Sequence, residues 1–230
     1  MYRVAAFLVL ALVGFDARAE TEARLVASTT KFESVGPSDV LYIHRIDDSS
    51  ITELHHETVA SQPKLVWSDA RTLWVLTEEI APYKAKVQKF VDGKEVDSAS
   101  LTAADWKAST VITQVLLRRT KSGEVWIETC VRGKPSPSKG VAPVCREMGY
   151  LRLDTKPFAL AKKRPAFRDS HPTATTGRQQ LGDKLVATFS PRSLDDLRND
   201  PKRHDGLWKI ERDAKTIGEI PGEQLLLAPR

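Results

Sequence analysis

Short apolar runs separated by polar turns recur along most of the chain and predict β-strands. Some runs alternate apolar with polar residues, and others are continuously apolar, as in strands that are buried on both faces. Turn residues interrupt them about every 8 to 12 residues, a spacing typical of β-sandwiches and β-propellers. The predicted strands are 40–46, 64–67, 72–77, 87–91, 111–117, 124–131, 150–153, 185–189, 207–212 and 224–228.

Two turns within this pattern predict β-hairpins. Asp92-Gly93 lies between alternating flanks and offers the two positive-φ positions of a type I′ turn. Ser122-Gly123 turns the chain before a second alternating segment. Both hairpins favour an all-β fold.

Helical signals are few and short. Residues 100–106 predict one or two helical turns capped by Ser100, and residues 193–196 have capping-box spacing ahead of Pro201. Neither helix would be long enough to cover a sheet, so the pattern disfavours a doubly wound α/β fold.

Residues 64–76 and 114–127 form an internal repeat, in which a strand and a polar turn precede a strand that carries Trp74 or Trp126. Trp208, in 206–211, would belong to a third copy at a different period. The segment PKLVWSDARTLWVL also resembles the strand–turn–strand of WD-like β-propeller repeats in secreted bacterial proteins. The residues that match are Pro63, Trp67, Ser68, Arg71 and Leu73, whereas Ala70 stands where that repeat has its turn glycine. The resemblance implies a small β-propeller-like repeat architecture, and a two-sheet β-sandwich is the alternative.

The first nineteen residues predict an export signal rather than part of the fold. Arg3 precedes ten apolar residues, and Ala17-Arg18-Ala19 is a small-x-small cleavage signal. The mature chain then begins at Glu20 and contains no predicted transmembrane segment. Its expected location is the periplasm or the extracellular medium.

The rest of the chain divides into three predicted parts. Residues 20–155 form the β-rich repeat region. Residues 156–180 contain three prolines, a threonine-rich patch and many basic residues, and are predicted to be a loop or linker. Residues 181–230 contain too few strands to fold alone, so we expect them to complete the same domain.

Charge is unevenly distributed. Residues 118–178 contain 14 basic and 5 acidic residues, whereas 20–117 contain 10 basic and 15 acidic ones. A basic region attracts anionic partners at long range. The candidate contact residues lie in two basic segments: Arg132, Lys134, Lys139, Lys162, Lys163, Arg164 and Arg168.

The chain contains two cysteines, Cys130 and Cys145, in a protein predicted to enter an oxidising compartment. We therefore expect them to form a structural disulfide across the loop that carries Arg132, Lys134 and Lys139.

The motif search predicts no catalytic residues, metal ligands or cofactor. His56-Glu57 lacks the second histidine of a zincin, because Ala60 occupies that position. Ser-x-x-Lys occurs three times, but the companion motifs of penicillin-recognising enzymes are missing.

The sequence therefore favours an exported, non-catalytic binding or structural protein of the bacterial envelope. Its expected partner is an anionic envelope polymer, phospholipid head groups or an acidic protein. Nucleic acid is not expected, because few aromatic residues interleave with the basic segments. The alternative is a secreted hydrolase of cell-wall or glycan polymers, whose site would hold two carboxylates about 5 to 10 Å apart.

We predict that protein recovered from its native host begins at Glu20 and contains no free thiol. Intact-mass measurement before and after reduction checks both expectations. A full-length mass in the soluble fraction would remove the argument for export, and with it most of the argument for the disulfide.

Overall fold

The computed structural model describes residues 23–32, 38–80, 83–108, 111, 115–134, 144–168, 177–182, 184–191 and 206–229. These residues form sixteen strands in four antiparallel sheets of four strands each. Sheet 1 contains β1 (Arg24–Phe32), β2 (Ser38–Ile46), β3 (Ile51–Val59) and β16 (Gln224–Leu227), and sheet 2 contains β4 (Lys64–Trp67), β5 (Thr72–Ile80), β6 (Tyr83–Val91) and β7 (Lys94–Thr102). Sheet 3 contains β8 (Leu116–Arg119), β9 (Val125–Lys134), β10 (Val144–Arg152) and β11 (Ala159–Ala161), and sheet 4 contains β12 (Arg178–Gly182), β13 (Leu185–Pro191), β14 (Gly206–Arg212) and β15 (Lys215–Pro221). The predicted all-β class is confirmed.

Each of sheets 2, 3 and 4 is a meander whose strands follow one another along the chain. Sheet 1 differs, because its first strand comes from the other end of the sequence. Leu226 of β16 lies opposite Ala27 of β1, and the order is β16-β1-β2-β3. The last strand therefore completes the first sheet, as in propellers in which one blade combines both ends of the chain.

The inner strands of sheets 1 and 2 are buried on both faces. In β1, Leu25 and Ala27 pack towards sheet 2, whereas Val26 packs towards sheet 4. In sheet 2, Leu73 belongs to the core shared with sheet 1, and Trp74 to the core shared with sheet 3. A two-sheet sandwich would bury one face of each sheet. The succession of sheets 4, 1, 2 and 3 is therefore propeller-like.

The two predicted hairpins have the expected turns. Asp92 and Gly93 have φ values of 51° and 78°, both in the left-handed region of a type I′ turn. A Cβ on Gly93 would come within 2.6 Å of Leu54 Cβ, so glycine also lets this turn pack against β3. Gly123, in the second turn, has φ 89°.

The internal repeat occupies equivalent places in two sheets. Its copies form β4–β5 of sheet 2 and β8–β9 of sheet 3. Trp74 lies opposite Lys89, whose ammonium is 5.4 Å from the centroid of the Trp74 ring. Trp126 lies opposite Arg152, whose guanidinium carbon is 5.9 Å from the centroid of the Trp126 ring. Trp208 lies instead on the third strand of sheet 4. The relation to WD-like repeats stays a prediction.

Several elements differ from the pattern-based expectation. The helical signal at 100–106 yields only a single-turn 3₁₀ helix, Ala103–Trp106. Its N-cap is Thr102 rather than Ser100, because β7 continues to Thr102, whose backbone N–H donates to Asp105 at 2.7 Å. Within the predicted loop 156–180 lie the short strand β11 and the start of β12. In the part of the chain that the structure describes, no helix could span a membrane.

Side chains at the ends of β1, β4 and β8 tie the four sheets together. Trp67 of β4 donates its indole N–H to Leu226 O of β16 at 3.1 Å. Arg119 of β8 donates through Nη1 to Trp67 O at 2.8 Å and to the next carbonyl at 3.1 Å. Arg24 of β1 donates to Leu181 O of β12. These bonds connect sheet 3 to sheet 2, sheet 2 to sheet 1, and sheet 1 to sheet 4.

We predict that Trp67→Phe lowers the free energy of unfolding by about 2 kcal/mol, because it leaves a buried carbonyl without its donor. Trp126→Phe is the matched control, since the Trp126 indole nitrogen is buried without a partner. Trp126→Phe should lower the free energy of unfolding by at least 1 kcal/mol less than Trp67→Phe does. This difference is about the net contribution of one hydrogen bond. Urea denaturation measures both. Equal losses would mean that ring volume, and not the bond between the sheets, sets the cost.

Candidate anion-binding surface

The basic segment Lys162–Arg168 crosses the face of sheet 3 that points away from sheet 2, and we call it the strap. It begins after the outer strand β11 and ends beside the innermost strand β8. There Phe167 forms a β-bridge with Thr120, and the Arg168 N–H donates to Arg119 O at 2.9 Å. The strap is thus fixed to the sheet by backbone bonds at its end.

An aromatic side chain of the strap lies between two arginines. The guanidinium carbons of Arg118 and Arg164 are 5.7 and 5.4 Å from the centroid of the Phe167 ring. Both arginines contact Glu128 of β9, at 2.5 and 3.0 Å. The Glu128 side chain is only 7% exposed, whereas that of Arg164 is 58% exposed. One buried carboxylate therefore supports two arginines, one of which faces solvent.

Arg119 adds a positive charge beneath the end of the strap. The residue is 6% exposed and donates to two main-chain carbonyls, and its Nη2 has no hydrogen-bond partner. Among the described residues, no carboxylate forms an ion pair with it. Burial and the charge of Arg168 lower the pKa of Arg119, although nearby Asp69 opposes the shift. The strap therefore lies on a surface where arginines outnumber carboxylates.

The candidate residues of the sequence analysis fall into two groups. Lys162, Lys163, Arg164 and Arg168 are exposed on the strap. Arg132, Lys134 and Lys139 have side chains outside the described residues, so a common positive face with the disulfide loop stays a prediction. Two participants, Arg118 and Arg119, were missed. In the sequence they form a dibasic pair at the end of an apolar run. Only the backbone contacts between the end of β8 and the strap show that this pair lies next to the strap.

Cys130 and Cys145 lie on neighbouring strands of sheet 3. Cys130 is fully buried in β9, where it lies opposite Met148 of β10. Cys145 lies in β10 opposite Gly133, and its side chain is outside the described residues. The disulfide between them stays a prediction.

Two carboxylates approach each other elsewhere, between sheets 1 and 2. The buried Gln88 amide donates to Glu57 at 2.9 Å and to Glu95 at 3.0 Å, so the two acceptor oxygens are less than 6 Å apart. Such proximity matches the spacing of a glycosidase pair, but a glycosidase also needs a carboxyl group that stays protonated. The hydrogen bond from Gln88 instead lowers the pKa of Glu95. The pair therefore has the spacing of a glycosidase pair, and one of its two carboxylates is held towards the ionised form.

The histidines of sheet 1 lie on both of its faces. His55 contacts Phe90 of sheet 2, with ring centroids 4.8 Å apart. His44 and His56 lie near Tyr42 on the other face, and Glu53 is within 4.0 Å of both. Where the structure describes the chain, no group of three or more histidine, cysteine, aspartate or glutamate side chains could hold a metal ion.

The comparisons with known proteins add little. No protein-family model matches the chain, and no curated protein matches it. A search of solved structures found a 1.18 Å crystal structure of an uncharacterized protein from Listeria monocytogenes EGD-e, with 14% identity and a TM-score of 0.33. The match covers 85% of this chain and 50% of that one, so this chain spans half the length of that protein. A TM-score this low supports no inference.

We predict a loss of stability as the pH falls from 7 to 4, caused by His44. Burial lowers the pKa of His44 from 6.5 to about 4, against the opposing charge of Glu53. The unfolded chain therefore binds a proton near pH 6.5 that the folded protein takes up only near pH 4. The contribution amounts to about 3 kcal/mol over this range.

The measurement is urea denaturation at several pH values for the wild type and His44→Gln. The variant should lose clearly less stability between pH 7 and 4. His56→Gln is the control, because the His56 side chain is 66% exposed. If the wild type and His44→Gln follow the same pH profile, other groups cause the acid sensitivity.

Proposed function

We propose that this chain is an exported, non-catalytic binding protein of the bacterial envelope, and that the strap surface contacts an anionic partner. The observation that carries the proposal is the excess of arginine on this surface. Arg118 and Arg164 lie near the Phe167 ring, Arg168 follows Phe167 in the strap, and among the described residues Glu128 is the carboxylate that pairs with members of this group.

The geometry favours a partner with several anionic groups. Lys162, Lys163, Arg164 and Arg168 are exposed along one short segment, so they can contact successive charges of a polymer. An arginine offers a planar set of donors that suits carboxylate and phosphate oxygens. Because the bond to Arg119 O and the bridge to Thr120 hold the backbone at Phe167 and Arg168, this end of the strap has a fixed position on sheet 3.

Four carboxylates among the described residues are held towards the ionised form. Asp69, Asp92, Glu95 and Asp97 each have a lowered pKa. For Asp92 and Asp97 the leading cause is a hydrogen bond from Arg71 or Lys156. A general acid of a glycan hydrolase needs the opposite shift. We propose binding first because of the exposed basic strap, and a secreted hydrolase of cell-wall or glycan polymers second.

We predict that a triple variant with Lys162→Glu, Lys163→Glu and Arg168→Glu is retained on phosphocellulose much more weakly than the wild type at about 50 mM salt. At this salt concentration surface charges are only partly screened. The wild type should elute steeply between about 50 and 200 mM salt, because exposed charges are screened. Arg164 is left in place, since it pairs with buried Glu128.

The matched control replaces three exposed lysines elsewhere, Lys84, Lys107 and Lys215, by glutamate. Both triple variants change the net charge equally. The strap variant should elute at clearly lower salt than the control. Coinciding elution of the two variants would show that overall charge, rather than the strap, causes retention, and would end the proposal.

A further inference from the structure

A cleft of about 600 Å³ opens between sheets 1 and 2, away from the strap. It lies at the end of the molecule where tight turns follow β2, β4 and β6. Its walls come from the ends of β1 and β2, from the two turns of sheet 2, and from β3. The charged and aliphatic lining residues that matter here are Arg24, Leu25, Arg45, Leu54, Arg71, Asp92 and Lys94. Its volume is within the range of small-molecule sites.

The charged lining of the cleft is mainly cationic. Four lining residues are basic, and Asp92 is the acidic one. Arg71 donates to both oxygens of Asp92, with Nε at 2.7 Å from Oδ1, and thereby lowers the pKa of Asp92. Arg71 and Asp92 therefore offset each other, and the net positive charge of the lining comes from Arg24, Arg45 and Lys94. Lys94 and Arg45 add further positive charge, although Asp47 lies 3.2 Å from Arg45.

Other parts of the same cleft are apolar. Leu25 belongs to the core between sheets 1 and 2, and Leu54 packs against that core. The turn at Gly93 fits closely over Leu54 because it has no Cβ. Ala70 and Ala228 extend the small, uncharged part of the lining. A ligand in this cleft would therefore meet cationic groups and aliphatic surface together.

We propose that this cleft binds a small amphiphilic anion, with a carboxylate or phosphate group among Arg45, Arg71 and Lys94 and a short aliphatic chain against Leu25 and Leu54. Charged donors provide strong hydrogen bonds to such oxygens. Burial of the aliphatic chain against Leu25 and Leu54 adds a favourable hydrophobic contribution. The site is separate from the strap and does not depend on the function proposed above.

Isothermal titration of the full chain with four probes tests the chemical class. Octanoate and octyl phosphate, below their micellar concentrations, should bind. Octanol lacks the charge and inorganic phosphate lacks the chain, so each should bind at least tenfold more weakly than octyl phosphate. Comparable binding of octanol would overturn the role of the cations, and comparable binding of inorganic phosphate would overturn that of the aliphatic surface. If neither octanoate nor octyl phosphate binds, the site is refuted.

Two variants locate the binding. Lys94→Glu should weaken octyl phosphate binding at least tenfold, and Leu54→Ala should weaken octyl phosphate but leave inorganic phosphate unchanged. Lys84→Glu is the matched control, because Lys84 is an exposed lysine at the other end of sheet 2. Circular dichroism confirms that each variant folds. Equal affinities of the Lys94 and Lys84 variants would place the binding elsewhere and overturn the proposal.

Discussion

The contacts of Trp67 hold three of the four sheets in place. Its side chain is fully buried, its indole N–H donates to Leu226 O of β16, and its own carbonyl accepts from Arg119 of β8. A buried polar group that loses its partner costs free energy, so each of these bonds restricts how the sheets can be arranged. Because β16 completes sheet 1, the bond to Leu226 also holds the end of the chain against the sheet formed by its beginning. Propeller-like order thus depends on a few bonds close to the innermost strands as well as on apolar packing.

Arg119 links this arrangement to the proposed function. Its guanidinium bonds to neutral carbonyls, so its hydrogen bonds hold sheet 3 against sheet 2 without cancelling its charge. Its own carbonyl accepts from Arg168, which fixes the end of the strap. The group that positions the sheet therefore also contributes to the positive potential of the surface. Burying a charge without a carboxylate is unfavourable, and an anionic partner near Arg168 would reduce that cost.

The strap surface and the cleft suit different anions because their shapes differ. The strap presents exposed charges along a short segment over one face of sheet 3, and such charges act mainly through long-range attraction that salt screens. The cleft surrounds a small volume with both cationic and aliphatic groups, which allows it to distinguish ligands by their apolar part. The strap lies on sheet 3 and the cleft lies between sheets 1 and 2, so their binding can be measured separately.

The alternation of apolar and polar residues was enough to predict the all-β class, the Asp92-Gly93 turn and most central strands, because period-two burial and positive φ are local properties. It missed β1, β3, β11, β12 and β15, whose polar or exposed residues are placed by pairing with neighbouring strands. Basic composition identified Arg164 and Arg168 but not Arg118 and Arg119, since β8 meets the strap only through a contact between distant segments. Likewise, Arg45 and Lys94 belong to different hairpins, and only the packing of sheet 1 against sheet 2 brings them to one cleft. Local sequence therefore determined the strands and turns, whereas tertiary structure decided which charges share a surface, because that depends on which sheet faces pack together.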